Sequence, residues 1–262
     1  AILGEHDLFG MDEKILGIIW DGTGLGSDGN SWGGEFFIYE KGNMTRAYYL
    51  EPIINLAGDK IAKEPRIAAL AIAGDLQEAA SILRPKFSDL EWNFYRKALS
   101  QPAIQTSSAG RYFDGVASLL NLVNMNSYEG EAALLLEKYA GDYFEEHGPE
   151  IISHYFNEEI AAPEIRMHGV IKSIVNDIHS NVPVATVSAL FHNSMAAIIR
   201  NVAVKEGIQK IAFSGGVFQN AVLVDLIHLQ LEPNFKIYFH QQLSPNDECI
   251  AFGQLMHYLN IN

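Results

Sequence analysis

One cysteine, Cys249, is the chain's whole stock of thiols. It can close no internal disulfide and cannot by itself build a zinc ribbon, which fits a reducing cytosol rather than a secreted scaffold. Basic residues are also scarce. Lys and Arg total 18 against 32 Asp and Glu, a net charge of -14. A field of that sign repels phosphate backbones and anionic lipid heads, so neither nucleic acid nor a membrane surface is expected as a partner. No apolar run approaches the roughly 18 residues of a membrane helix, and the opening AILGEHDLFG has neither the basic nor the apolar part of a secretory signal. The nine histidines (6, 147, 154, 168, 179, 192, 228, 240 and 257) never fall four apart. No helix therefore presents paired imidazoles to a metal. Low-complexity tracts and internal repeats are absent too. The expectation is a cytoplasmic globular protein, and 262 residues suffice for one large domain or two modest ones.

An initiator methionine is missing as well, and Ala1 to Phe9 reads as the last turns of a helix closed by Gly10. The chain is expected to begin inside a larger protein.

What is present is ordered along the chain. KILGIIW, Lys14 to Trp20, is short, β-branched and apolar, reads as a buried strand, and stops at Asp21. Six glycines follow between Gly22 and Gly34. EFFIYE and MTRAYYLE flank Lys41-Gly42-Asn43 as a hairpin would. From about Asp59 to Ser180 strand signals vanish and Ala and Leu recur at helical spacing, which predicts a helical insert. After Pro183 a long helix ends at Gly207, and strand, helix, strand and helix follow. The predicted architecture is α/β: a five-stranded mixed sheet with helices on its faces, built from 1–58 and 181–262, interrupted by a helical subdomain at 59–180.

Four places could carry chemistry. Asp21 and its glycines could hold a cation beside open amides, or the glycines could serve turn geometry alone. Ser214-Gly215-Gly216-Val217-Phe218-Gln219-Asn220 is a strand-to-helix junction that could meet an anion or a nucleotide edge, and a tight connector would look the same. In Ser244-Pro245-Asn246-Asp247, Ser244 reads as an N-cap with Pro245 first in the helix and Asp247 third, which capping alone explains. Thr106 to Arg111 caps a helix, yet Arg111 sits in the first turn, where the dipole disfavours a cation unless an anion is near. Arg66, after Glu64-Pro65, shares that pattern. Among the histidines, His192 in FHNSMA has the best claim to function; Cys249 reads as a small apolar filler.

WDGTGLGSDGNSWGGEFF, GDKIAKEPR, TSSAGRYFDGVASLL, YEGEAALLLE, FHNSMA, FSGGVFQN and SPNDECIAFGQ occur in this order over nearly the whole chain. Together they resemble the carboxy-terminal, TsaD-like transferase region of the HypF hydrogenase-maturation carbamoyltransferases. The resemblance implies an actin-like, ribonuclease-H-like ATPase fold. It also implies a route: carbamoyl phosphate is cleaved to carbamate, carbamate is joined to ATP as carbamoyl adenylate, and this region passes the carbamoyl group to the C-terminal cysteine thiol of a HypE-type partner. That thiocarbamate becomes the cyanide ligand of a [NiFe] centre. By the same resemblance Asp21 and Asp247 match two metal-binding aspartates. Gly215, Gly216 and Asn220 match the nucleotide cradle, to which Arg111 is added, and Asp59, Glu64 and Arg66 match the stretch approaching adenosine.

Two departures bear on the site. In the family two histidines on a helix before the first strand complete the metal shell, and this chain starts just after their place, so a metal is expected to be held weakly here. With those imidazoles iron or zinc would suit; aspartates and phosphates alone would suit magnesium. The second departure is Glu248-Cys249 where the family has a glycine pair, which is expected to crowd the helix start. Two rival functions stand beside this one, a threonylcarbamoyl transferase acting on tRNA and a nucleotide-binding module without activity of its own.

Overall fold

The structure, a computed structural model, describes residues 1–148, 153–161 and 163–261. It opens with a one-turn helix α1 (Ile2–Glu5) and three antiparallel strands, β1 (Ile15–Leu25), β2 (Ser31–Glu40) and β3 (Asn43–Leu50). A short strand β4 (Ile53–Ile54) leads into α2 (Lys60–Lys63), α3 (Pro65–Ala73), α4 (Ala80–Leu83) and α5 (Asp89–Ala98). Then come β5 (Gln105–Thr106), α6 (Ala109–Leu119), α7 (Glu131–His147), β6 (Glu164–Ile165) and α8 (His168–His179). The closing stretch alternates through α9 (Val184–Glu206), β7 (Lys210–Ser214), α10 (Ala221–Leu231), β8 (Lys236–Tyr238) and α11 (Ile250–Ile261).

The five strands expected from the sequence lie in the order β3-β2-β1-β7-β8, with β1, β7 and β8 parallel and the hairpin strands antiparallel. The sheet has eight strands rather than five, because β4, β5 and β6, of two residues each, join its edges. Such short strands carry no periodicity to be seen in a sequence. β6 lies where APEIRMHG was read as helix: Glu164 and Ile165 pair with Tyr49 and Leu50, and α8 begins only at His168.

β1 is fully buried at Ile15, Leu16, Ile18 and Trp20. It does not stop at Asp21. The ladder with β2 resumes at Gly24 opposite Trp32, and the irregularity between Trp20 and Gly24 places Asp21 in a bulge. A bulge re-aims a side chain without ending the strand, which is how a carboxylate leaves so apolar a segment. Gly33 and Gly34 serve packing: a Cβ on Gly33 would meet the Asp21 carbonyl, and one on Gly34 the Ser107 carbonyl.

Beneath these glycines Glu35, 2% exposed, accepts from Gly33 N at 2.5 Å, Gly34 N at 2.8 Å, Arg46 Nη2 at 3.0 Å and the Ser107 hydroxyl. Arg46 is itself stacked between Trp32 and Tyr49. Four donors around one buried carboxylate compensate its desolvation, and deleting it takes that acceptor from the Gly33 and Gly34 amides and the Ser107 hydroxyl. Glu35→Ala is therefore expected to cost about 3 to 5 kcal/mol, as removal of one partner of a buried pair does, read from urea unfolding.

The helices between β4 and β6 do not form a separate core. Ile67, Phe113, Val116 and Leu136 belong to one apolar cluster with Leu16, Ile18 and Trp20 of the sheet. Three helix ends differ from expectation. Asp7, with φ of 53°, turns the chain after α1 in place of Gly10. VFQNAVLVDLIHLQL has helical spacing throughout, yet Asn220 breaks it, capping α10 through Leu223 N at 2.8 Å. Asn246, not Ser244, caps the turn Asp247–Cys249 before α11, accepting from Glu248 N at 3.0 Å. Among the described residues no helix is long and apolar enough to cross a membrane.

Candidate active site

A cavity of about 540 Å³ opens where the Asp21 bulge, the start of α6, α7 and the loops before α10 and α11 converge. Asp21 and Asp247, from opposite ends of the chain, both line it, together with Gly22, Arg111, Gly216 and Asn220. Among the described residues six acids face it, Asp21, Asp114, Glu129, Glu137, Asp247 and Glu248, against the single cation Arg111. An anionic ligand enters so negative a space only with a counter-cation.

Asp21 Oδ1 accepts from Gly22 N at 2.7 Å and its carboxylate also takes the Gly216 amide. Burial, reinforced by the nearby Asp247 carboxylate, nevertheless pushes its carboxyl above the usual range, against the pull of those amides and Arg111. Two like charges therefore face one cavity and repel each other. The donor set present is partial: among the described residues no third His, Cys, Asp or Glu completes a shell.

Ser108 fixes α6 against the bulge. Its hydroxyl lies 2.8 and 2.7 Å from the carbonyls of Asp21 and Gly22, while it caps α6 through Arg111 N at 3.2 Å. This answers the oddity of a cation in a first helical turn. Arg111 Nη2 is 2.9 Å from Asp114 Oδ2, and its Nε and Nη1 are buried without an acceptor. Asp114, 3% exposed, was not singled out from the sequence; the only sign was its place three residues after Arg111. Burial pushes its carboxyl up to about 6 despite the arginine.

The glycine pair works differently from the open cradle expected. Gly215 N donates to Pro245 O at 2.7 Å, tying the β7 end to the Asp247 loop, and the Gly216 amide is taken by Asp21. Gly216 still lines the cavity, where a Cβ would stand 3.2 Å from Asp21 Oδ1. The α10 N-terminus is partly filled, since Ala221 N donates to Glu137 Oε1 at 2.7 Å. Glu137 is a second residue the sequence reading missed as an individual, lying inside a motif of alanines and leucines that reads as core.

His192 fixes Asn220. Its Nδ1 is 2.8 Å from the Ser188 carbonyl, which can only accept, so Nδ1 carries the proton and Nε2 accepts from Asn220 Nδ2 at 3.0 Å. The amide cannot flip, and its Oδ1 stays on the helix cap. Complete burial lowers the imidazole to about 4 from 6.5. A neutral buried histidine lends stability that is whole above its unfolded pKa of 6.5 and lost as the pH falls toward 4. The stability gap between wild type and His192→Gln is expected to narrow by about 3 kcal/mol over that window, read from urea unfolding at stepped pH.

Asp59, Glu64 and Arg66 do not line this cavity. Asp59 is exposed, and Arg66 Nη2 is 2.7 Å from both Glu64 Oε2 and Glu91 Oε1, with its guanidinium over Phe87. A guanidinium so saturated has little left for a ligand. The segment meets the cavity through Ala62, whose carbonyl accepts from Asn126 Nδ2 at 3.0 Å. At the other wall, Cys249 turns inward, its Sγ 3.9 Å from Ser214 Oγ, so only Glu248 crowds the helix start. The loop between β8 and α11 is braced by Glu5, which accepts from Gln241 N at 2.7 Å and Gln242 N at 2.6 Å, and by His240, placed between Glu5 Oε2 at 2.6 Å and Ser214 Oγ at 3.0 Å.

Residues 17–254 match the family model described as "Carbamoyltransferase, Kae1-like Domain, second subdomain". The chain belongs to the HypF carbamoyltransferase family. A carbamoyltransferase HypF of Synechocystis sp. is 35% identical over 277 residues, spanning 98% of this chain and 35% of the relative. A probable carbamoyltransferase HypF of Methanocaldococcus jannaschii is 28% identical over 99% of this chain and 34% of its own. The crystal structure of a full-length HypF in a phosphate- and nucleotide-bound form superposes with a TM-score of 0.86 at 26% identity, covering 99% of this chain and 35% of that one. The T. kodakarensis HypF structure, at 24% identity and a TM-score of 0.79, shares the fold. The chain thus spans about a third of the length of these family members.

Proposed function

We propose that this chain is the carbamoyl-transfer region of a hydrogenase-maturation protein, moving a carbamoyl group from carbamoyl adenylate to the C-terminal cysteine thiol of a HypE-type partner. The observation that carries the reading is the meeting of Asp21 and Asp247 with Arg111 and Asn220 in one cavity. Nothing in a strand-rich core needs two repelling carboxylates there. The fold is read as actin-like, with 1–58 and 181–262 as the ribonuclease-H-like part, 59–180 as its insert, and the cytoplasm as its place of work.

Arg111, with two nitrogens lacking an acceptor, orients the phosphate of the mixed anhydride. Gly215 fixes the loop that carries Asp247, while Gly216 leaves room beside Asp21 and the His192-held Asn220 amide offers a donor of known orientation toward the nucleotide. Asp59, Glu64 and Arg66 act at one remove, fastening the segment that supplies Ala62 to the wall. Asp21 and Asp247 would hold a divalent cation, which when bound polarises phosphate or carbamoyl oxygens. Ala1 lies beside Gly253 and Gly4 beside Met256, so α1 packs along α11. Imidazoles added to the two aspartates would favour iron or zinc over magnesium.

Carbamoyl phosphate, ATP and a peptide ending in cysteine, given to this chain joined to the remaining regions of its family, should yield a thiocarbamate. ATP binding without transfer would support instead the second reading, a nucleotide-binding module, which the partial donor set favours.

A further inference from the structure

We propose that Glu5, His240 and Ser214 form a positioning relay that sets how far Asp247 stands from Asp21. This rests on the transfer reading above and names the residues that hold its two carboxylates at working distance. The two acids repel, so the loop that carries Asp247 needs a restraint. Residues 239–246, which lead up to it, form neither helix nor strand. Groups from two other elements hold them instead. At the end of α1, His6 Nε2 is 2.8 Å from the Phe239 carbonyl, and Glu5 Oε1 takes the Gln241 and Gln242 amides at 2.7 and 2.6 Å. The relay adds a third hold. Glu5 Oε2 is 2.6 Å from His240 Nδ1, and His240 Nε2 is 3.0 Å from Ser214 Oγ. A carboxylate can only accept, so Nδ1 carries the proton; burial lowers the imidazole and keeps it neutral, which leaves Nε2 to accept from the Ser214 hydroxyl.

Ser214 opens the stretch of chain that touches both acids. It lies opposite Ile19 in the β1–β7 ladder, Gly215 packs on the Trp20 carbonyl, and the Gly216 amide goes to Asp21. On the other side Ser214 meets His240, and Gly215 N holds Pro245 O at 2.7 Å. Residues 214–216 are thus a ledge between Asp21 and Asp247, keyed to β1 along one side and to the loop at two points along the other. The same order of carboxylate, imidazole and hydroxyl activates a serine in hydrolases. Here the hydroxyl has no such opening: Ser214 is 9% exposed, does not line the cavity, and has the Cys249 Sγ 3.9 Å away. A buried, fully directed chain of hydrogen bonds fixes geometry instead. Geometry matters at this place, since a misplacement of about 1 Å in a reacting constellation costs on the order of 10²-fold in rate.

The test compares Ser214→Ala, His240→Asn and His240→Gln in the assembled protein, with ATP, carbamoyl phosphate and a cysteine-ending peptide. Asparagine keeps a donor for Glu5 but is too short for Ser214; glutamine carries an amide oxygen out to it. Ser214→Ala and His240→Asn should each lower kcat roughly 10- to 100-fold with KM for ATP changed less than about twofold, and combined they should lose no more than the worse of the two. His240→Gln should recover part of the rate only where Ser214 is present, a pattern that a general loss of stability would not give. Undiminished rates, additive losses, or a glutamine no better than asparagine overturn the relay. Crystal structures read the spacing itself. The Asp21 to Asp247 separation should grow by about 1 Å or more in Ser214→Ala, and an unchanged separation overturns the assignment. Wild type that makes no thiocarbamate overturns the transfer reading, and the separation then decides the relay by itself.

Discussion

Asp21→Asn is expected to lower carbamoyl transfer by about 10³-fold without weakening the fold. Asparagine keeps an oxygen for the Gly22 amide to donate to, so the bulge that carries the residue survives. What disappears is half of a repelling carboxylate pair that burial and Asp247 hold above its usual pKa. Removing such a charge relieves the native state at neutral pH, because the ionised form costs more there than in the unfolded chain, and that cost falls away only as the pH drops into the carboxylate range. Loss of activity with unchanged or raised stability is the mark of residues kept for chemistry. Transfer assays paired with urea unfolding at pH 8 check both halves; a variant that loses activity because it unfolds would assign Asp21 to structure.

Gly215→Ala should show the reverse pattern, a loss of fold of roughly 3 kcal/mol or more. Its φ of 110° lies where L side chains rarely go, and a Cβ would run into the Trp20 carbonyl across the β1–β7 ladder. Trp20 is fully buried and stacked on Phe218, so it has no room to yield. The Gly215 amide also holds Pro245 O, so the Asp247 loop would loosen with it. Gly216→Ala is the instructive neighbour. Its Cβ would press on Asp21 Oδ1 at 3.2 Å and make only ordinary contact with Gln219 Oε1 at 3.9 Å, so that variant should fold and lose transfer. Thermal melts of the two variants separate the roles of the paired glycines.

The long periodic elements were legible in the sequence because periodicity reports burial over many residues. α9 with its Gly207 end, the apolar β1 and the hairpin of β2 and β3 all lie where pattern put them. β4 to β6 were not, since two residues make no pattern and their pairing is decided by distant strands. Asp21 was found for a good reason, a carboxylate ending an apolar run, although it sits in a bulge rather than at a strand end. Arg66 resembled Arg111 in sequence, as a cation in a first turn, and only the positions of Glu64 and Glu91 reveal that it is saturated. Asp114 and Glu137 were hidden for the opposite reason. Their neighbours are core residues, and nothing local says that one carboxylate will face a cavity and the other a helix end.

The central claim is that one cleft gathers Asp21 and Asp247 around a nucleotide-linked carbamoyl group. The most direct measurement is a crystal structure of the protein with a non-hydrolysable carbamoyl adenylate analogue. The account predicts the carbamoyl end between Asp21, Asp247 and Arg111, with the phosphate against Arg111 and the nucleoside toward Asn220. An analogue seated instead in the separate cavity bounded by Glu51, Asp75 and Arg96, with the Asp21 cleft empty, would contradict it.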